Sequence, residues 1–302
     1  MKFATILSTA FLLISLKNGI CQKENNYIEY YHLCNSGDSL FHYKNYKEAI
    51  LKYEAAFKTV NFVHAKILRN ASICASKKNQ KKVAWDYAKR AISGGENEKF
   101  LKNSFPKNIS KELLKDSINL LKNQHLKSVN HLYIKEIDSL YFVDQNIIRG
   151  NKTVKSDGDF SKLAIPQNKF DLDRDVWNHL IGLMSIYGFP SEKNIGPKAY
   201  EQVSIILHHN FRLPQNQHQM PIATEALKKG EYLPQDFAWM FDQFLSMLNK
   251  NPFFYYGSKD PSRLSKDELL QIEENRRKYG VKPFSAYKIK VWKDSISQTP
   301  IW

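Results

Sequence analysis

Cysteine is scarce in this chain, with three residues in 302, and one of them, Cys21, falls in a leader. Cys34 and Cys74 alone cannot form the disulfide framework of a small secreted domain. Both fall on expected helices, where a free thiol packs as a small apolar group, although export would permit a bridge between them. Glycine and proline are also sparse, 12 and 11 residues, which excludes a collagenous or Gly/Pro-rich disordered chain. The chain has no glycine-rich phosphate loop, no Gly-x-Ser-x-Gly elbow, and neither His-x-x-x-His nor His-Glu-x-x-His, so no cofactor and no metal is expected. Asp171, Asp173 and Asp175 alternate as in a calcium loop, but Val176 stands where that loop needs Gly and Gly182 where it needs Glu. Acidic residues are outnumbered 30 to 45 by basic ones, for a formal charge of +15. The lysines are spread along the chain. With an exported location, this argues against a nucleic-acid partner and for attraction to anionic surfaces.

Long apolar runs are missing except at the amino terminus. Residues 1–21 place Lys2 before a nearly unbroken apolar run from Phe3 to Leu16. That run is shorter than the roughly 20 residues a membrane-spanning helix needs and has the length of a secretory signal core. Cleavage after Cys21 leaves Gly19 and Cys21 as the small residues at −3 and −1. A lipoprotein signal needs a small residue before its Cys, and Ile20 fits that poorly. The expectation is a signal peptide over 1–21 and a secreted or periplasmic protein with no membrane span.

The front of the mature chain repeats itself. Ala49 and Ala84 are 35 residues apart, as are Ala56 and Ala91, Leu33 and Leu68, and Leu40 and Ala75. The spacing predicts helices over 27–43, 46–59, 64–77 and 80–93, with Gly94-Gly95 ending the last. Gly37, Ala49 at plus twelve, Tyr53 at plus sixteen and Ala56 at plus nineteen resemble the tetratricopeptide repeat, whose units run about 34 residues. In that family small residues let antiparallel helices approach and an aromatic fills the gap beside them. Asn61 and Ser72 depart from the family's usual Pro and Gly, and a third unit fails at Asn119. The resemblance implies tetratricopeptide-like helices over 22–126 and a protein or peptide partner. Two such units bury too little alone, so they must pack on more C-terminal chain, with a helix at 109–125 as the nearest cover.

The back half, 127–302, reads as further helices at 128–148, 174–187, 197–210, 218–229, 234–250 and 265–279. Pro197 and Pro234 suit first-turn positions. Ser265 with Glu268 forms a capping box, and Leu264 with Leu269 a hydrophobic staple. Residues 281–302 include a β-prone stretch, Tyr287 to Trp292, with no clear place. The whole is expected to be all-α.

From about 133 to 260 the chain resembles an uncharacterised bacterial family, a domain of unknown function. The resemblance rests on Asp144, Gln145 and Arg149; Asp175 and Asn178; Gly188 and Pro190; His209; Asp242; and Tyr256-Gly257. Gln243 replaces the family's Arg, and Phe254 its frequent Gln. The resemblance supplies no reaction.

These residues suggest chemistry only if the helices bring them together. A carboxylate beside a histidine does general acid–base work, so Asp144, His209 and Asp242 are the candidate catalytic residues. Arg149 suits an anionic ligand, and Gln145, Asn178 and Tyr256 complete the candidate binding set. On the helical wheel Ala199, Val203, Ile206 and Asn210 form the inner face of one helix, His209 flanks it, and His208 points away. Asp242 lies one step off the face of Phe237, Phe241 and Phe244, as either a buried carboxylate or a solvent-boundary one. The run Phe253–Tyr256 either lines a pocket or fills the core. The leading expectation is a non-catalytic binding or scaffold protein. Its rival is a hydrolase-like enzyme using His209 with Asp144 or Asp242, and Arg149 as the anion holder.

Overall fold

A computed structural model describes residues 25–105, 111–148, 169–256 and 264–284. The leader, Arg149, Gly257 and the β-prone stretch Tyr287–Trp292 lie outside the described residues. The described residues are helical and include no strand.

Four helices form the front: α1 Tyr27–His42, α2 Tyr46–Phe57, α3 Ala65–Lys77 and α4 Lys81–Ser93. Each begins and ends within two residues of the span set by the 35-residue spacing. α1 packs on α2 and α3 on α4 as two hairpins, and α2 also packs on α3. Ala49, Ala56, Ala84 and Ala91 are buried, because helix axes approach closely only where side chains are short. Tyr53 is fully buried, with its hydroxyl donating to Asp38 at 2.7 Å. Cys34 and Cys74 are free and buried.

A short α5, Leu101–Ser104, leads to α6, Lys111–Ser128, which packs on α4. The back half contains α7 His131–Ile148, α8 Lys169–Tyr187, α9 Glu192–Phe211, α10 Met220–Lys228, α11 Pro234–Met247 and α12 Lys266–Lys278. α9 is broken at Gly196, where φ is 75°. A Cβ there would lie 2.8 Å from the His125 ring, so only glycine fits, and Pro197 restarts the helix without needing an N–H partner. The break adds a turn, 192–195, to the expected 197–210 helix. Ser265 caps α12 through the reciprocal bonds of a capping box with Glu268.

α9 lies at the centre, packed on α7, α8 and α11. Its Val203, Ile206, Leu207 and Phe211 belong to the same hydrophobic cluster as Tyr27, Tyr30 and Tyr31 of α1 and Phe237 of α11. The core therefore runs without interruption from the front hairpins into the back half. The aromatic face of α1 is covered by α10 and the chain around it. Gly230, at φ 73°, sits so close to Tyr27 that a Cβ would come within 2.2 Å of the ring. Asn35 donates to the carbonyl of Gly280 at 2.9 Å. No helix among the described residues is long and apolar enough to cross a membrane.

Candidate functional site

Asp144 comes from the last turn of α7 and His209 from the last turn of α9, and the packing of these two helices brings them together. The Asp144 carboxylate is 3% exposed. Its two oxygens lie 3.1 and 3.0 Å from His209 Nδ1. A carboxylate only accepts, so Nδ1 carries the proton in this pair. Gln145 Nε2 also donates to Asp144, at 3.0 Å. The His209 side chain keeps 22% of its surface exposed, and its Nε2 has no partner among the described residues. This is an oriented, partly exposed imidazole, an arrangement able to move a proton.

His208 corrects the helical-wheel reading. It is 4% exposed, and its ring stacks on the Trp239 indole with centroids 3.5 Å apart. The wheel located a single inner face, from Ala199, Val203, Ile206 and Asn210. α11 packs on the flank it assigned to solvent, and an aromatic wall accepts an imidazole as readily as an aliphatic side chain. Burial, reinforced by the charges of His209 and Arg212, pushes His208 down to about 3. Its Nδ1 has no partner among the described residues.

Asp242 serves a different structure. It is 3% exposed and reaches the irregular segment after α11. One carboxylate oxygen accepts from the Phe253 and Phe254 N–H groups at 2.8 and 2.9 Å, and the other accepts from the Tyr256 N–H. Burial raises its carboxyl above the ordinary carboxylate range, while those three bonds and Arg276 pull it down. The aromatic run fills the core: Phe254 and Tyr255 are buried, and Tyr255 adopts the left-handed region at φ 54°.

The candidate residues thus fall into two groups. Asp144, Gln145 and His209 form one; Asp242 and Tyr256 form the other. No hydrogen bond or ion pair joins the two groups among the described residues. Asn178 is exposed on α8 and bonded to neither. A surface depression of about 590 Å³ lies on α12, lined by Asp267, Leu270, Gln271, Glu273, Glu274 and Arg277, with no candidate residue in its wall. No group of three or more His, Cys, Asp or Glu side chains among the described residues is placed to hold a metal ion.

Three buried polar arrangements had no sequence signal. Glu192, at the start of α9, accepts from His64 Nδ1 at 2.9 Å and from the Ala65 N–H at 2.7 Å, tying α3 to the back half. Tyr200 donates to Asp236 at 2.9 Å, and burial raises the Asp236 carboxyl. Arg276 of α12 is 3% exposed and donates to the carbonyls of Phe254, Tyr255 and Lys282. No pattern of spacing marks these residues, because each depends on which helix ends meet. No protein-family model, curated protein or solved structure matches this chain.

Proposed function

We propose that this is an exported, non-catalytic binding and scaffold protein. On this reading its front hairpins are tetratricopeptide-like units that engage a protein or peptide partner, and its back half is the helical domain of unknown function. The observation that carries the non-catalytic part is the state of Asp242. Both its oxygens are engaged by main-chain N–H groups and the residue is 3% exposed, so it holds a segment of chain and is shielded from a substrate. The front hairpins support the scaffold part. Their α1 face is packed into the common core, so they brace the back half and present their other surfaces outward. The test is a panel of chromogenic esters, phosphoesters and peptides with the full chain, beside His209→Ala and Asp144→Asn. The expected outcome is no turnover, with both variants losing stability by about 1–3 kcal/mol as a buried pair is broken.

The hydrolase-like reading has one observation in its favour, the partly exposed His209 imidazole oriented through Nδ1 by Asp144. It assigns His209 as general base, Asp144 as its orienting carboxylate and Arg149 as the anion holder. Turnover by the wild type that His209→Ala abolishes at unchanged melting temperature would establish it and overturn the scaffold reading.

A further inference from the structure

The turn from α1 to α2 and the turn from α3 to α4 are copies of each other. Asn45 N–H donates to the Leu40 carbonyl at 2.8 Å, and Gln80 N–H, 35 residues on, donates to the Ala75 carbonyl at 2.9 Å. Lys44 and Asn79 occupy the same left-handed position, at φ 60° and 57°. α1 and α3 run side by side in the same direction, since Tyr31 meets His64 and Asp38 meets Asn70. α2 and α4 do the same, with Tyr87 donating to Glu54. Both turns therefore lie on one edge of the front layer. Beneath that edge, Leu40, Phe41 and Tyr46 share a cluster with Cys74, Ala75 and Ala84.

The outer side of this edge is basic. Lys44, Lys47, Lys77, Lys78, Lys81 and Lys82 are all exposed. Over residues 41–48 and 76–83 the only carboxylate is Glu48. Lys89, Lys122 and Lys228 each form an ion pair, none of the six edge lysines does so among the described residues, and Lys82 lies within electrostatic reach of Asp86. Lys47, Lys81 and Lys82 stand in the first turns of α2 and α4, where the helix dipole favours carboxylates over cations. Stability alone does not account for cations there. Tyr43, 53% exposed, sits between His42 and Lys44 on the same edge.

We infer that this edge docks the protein on an anionic lipid surface. All six cations are lysines and none is arginine, so the edge offers point charges without the planar fork that selects particular carboxylates. Such charges suit a continuous plane of anionic headgroups, which attracts basic segments within a Debye length. An exposed tyrosine has its apolar ring and polar tip at the depth where headgroups meet acyl chains.

The test is co-sedimentation of the full chain with phosphatidylcholine vesicles, with and without about 30% phosphatidylserine, at about 0.1 M and 0.5 M salt. Binding is expected only to the anionic vesicles and should weaken more than about tenfold at the higher salt. The variant Lys44→Glu/Lys47→Glu/Lys78→Glu/Lys82→Glu should lose more than about tenfold in partitioning. Two of its new carboxylates enter first turns, where the helix dipole favours them, and two lie at helix C-terminal ends, where it does not, so the stability effects should largely offset, which the melting temperature checks. A control carrying Lys135→Glu/Lys193→Glu/Lys198→Glu/Lys266→Glu makes the same change in net charge elsewhere and should retain most of the binding. The inference is overturned if the wild type ignores anionic vesicles, if the control loses as much as the edge variant, or if only a soluble polyanion such as polyphosphate is bound.

Discussion

Asp242 and Arg276 hold one segment of chain from its two polarities. The carboxylate takes the N–H groups of Phe253, Phe254 and Tyr256, and the guanidinium gives to the carbonyls of Phe254 and Tyr255. Asn275 supplies the remaining donor, to the Phe253 carbonyl at 2.9 Å. A buried stretch without helical or strand bonding must satisfy its backbone groups somehow, and three side chains do it here. Asp242→Asn replaces one acceptor oxygen with a donor aimed at N–H groups and should cost about 3 kcal/mol in urea unfolding. Arg276→Met should cost a similar amount, and the double variant less than the two together, since both act on one segment. A loss below about 0.5 kcal/mol for Asp242→Asn would contradict this assignment.

His208 makes stability depend on pH. Folded, it stays neutral down to about 3, whereas its ordinary value is 6.5. Between those values the unfolded chain holds the extra proton. The contribution is therefore complete above pH 6.5 and is lost as pH falls toward 3, at up to ~1.4 kcal/mol per pH unit. Asp242 and Asp236 act in the opposite sense. Their carboxyls are raised by burial, so their contribution is complete below the ordinary value of 3.8 and is lost as pH rises through the raised one. The difference between wild type and His208→Phe isolates the histidine, because the phenyl ring keeps the stack on Trp239. That difference should shift by about 2 kcal/mol against the wild type between pH 6.5 and 4.5. A flat difference would mean that His208 is not held neutral.

Glu192 joins the front of the molecule to the back. Glu192→Ala orphans the Ala65 N–H and one nitrogen of the buried His64, at an expected cost of about 2–4 kcal/mol. Hydrogen exchange should quicken in α1 to α4 more than in α7 and α9. Uniform quickening would indicate that the seam is not the weak point.

Gly230→Ala should be among the most damaging single-methyl changes. It places a Cβ within 2.2 Å of the buried Tyr27 ring at a φ of 73°. Overpacking and backbone strain together should cost about 2–4 kcal/mol, and Tyr27→Ala in the same chain should relieve part of it. Denaturation of the two singles and the double checks both statements.

The thiols should resist alkylation. Burial lifts Cys34 well above its ordinary value and Cys74 up to about 12. Because the thiolate is the reactive form, iodoacetamide near pH 8 should label the native protein slowly and modify both residues in urea. Rapid native labelling would show that these helices open readily.

Much of the helical framework could be read from the chain itself. Periodicity of apolar residues, the capping box at Ser265 and the prolines at 197 and 234 are local signals, and helix formation depends mainly on local geometry. The 35-residue recurrence also carried over into space as two turns with matching hydrogen bonds. α8 begins earlier than expected, at Lys169, and Leu172 continues the helical spacing of Val176, Leu180 and Leu183 back into that first turn.

The candidate site was less legible. Asp144 and Gln145 could be grouped from adjacency, but their meeting with His209 depends on α7 crossing α9. Nothing in the spacing distinguished the architectural Asp242 from a catalytic carboxylate, or foretold that His208 would lie against Trp239.

The sequence by itself determined where helices start and stop, which residues are small enough for close helix approach, and how far positive charge exceeds negative. Only the tertiary structure decided which polar groups become partners: Asp144 with His209, Glu192 with His64, and Asp242 and Arg276 around one segment. The physical reason is distance along the chain. Helical order is set by residues three and four apart, whereas a buried charge is satisfied by whatever group the packing brings within 3 Å, in these cases across 65 or 128 residues.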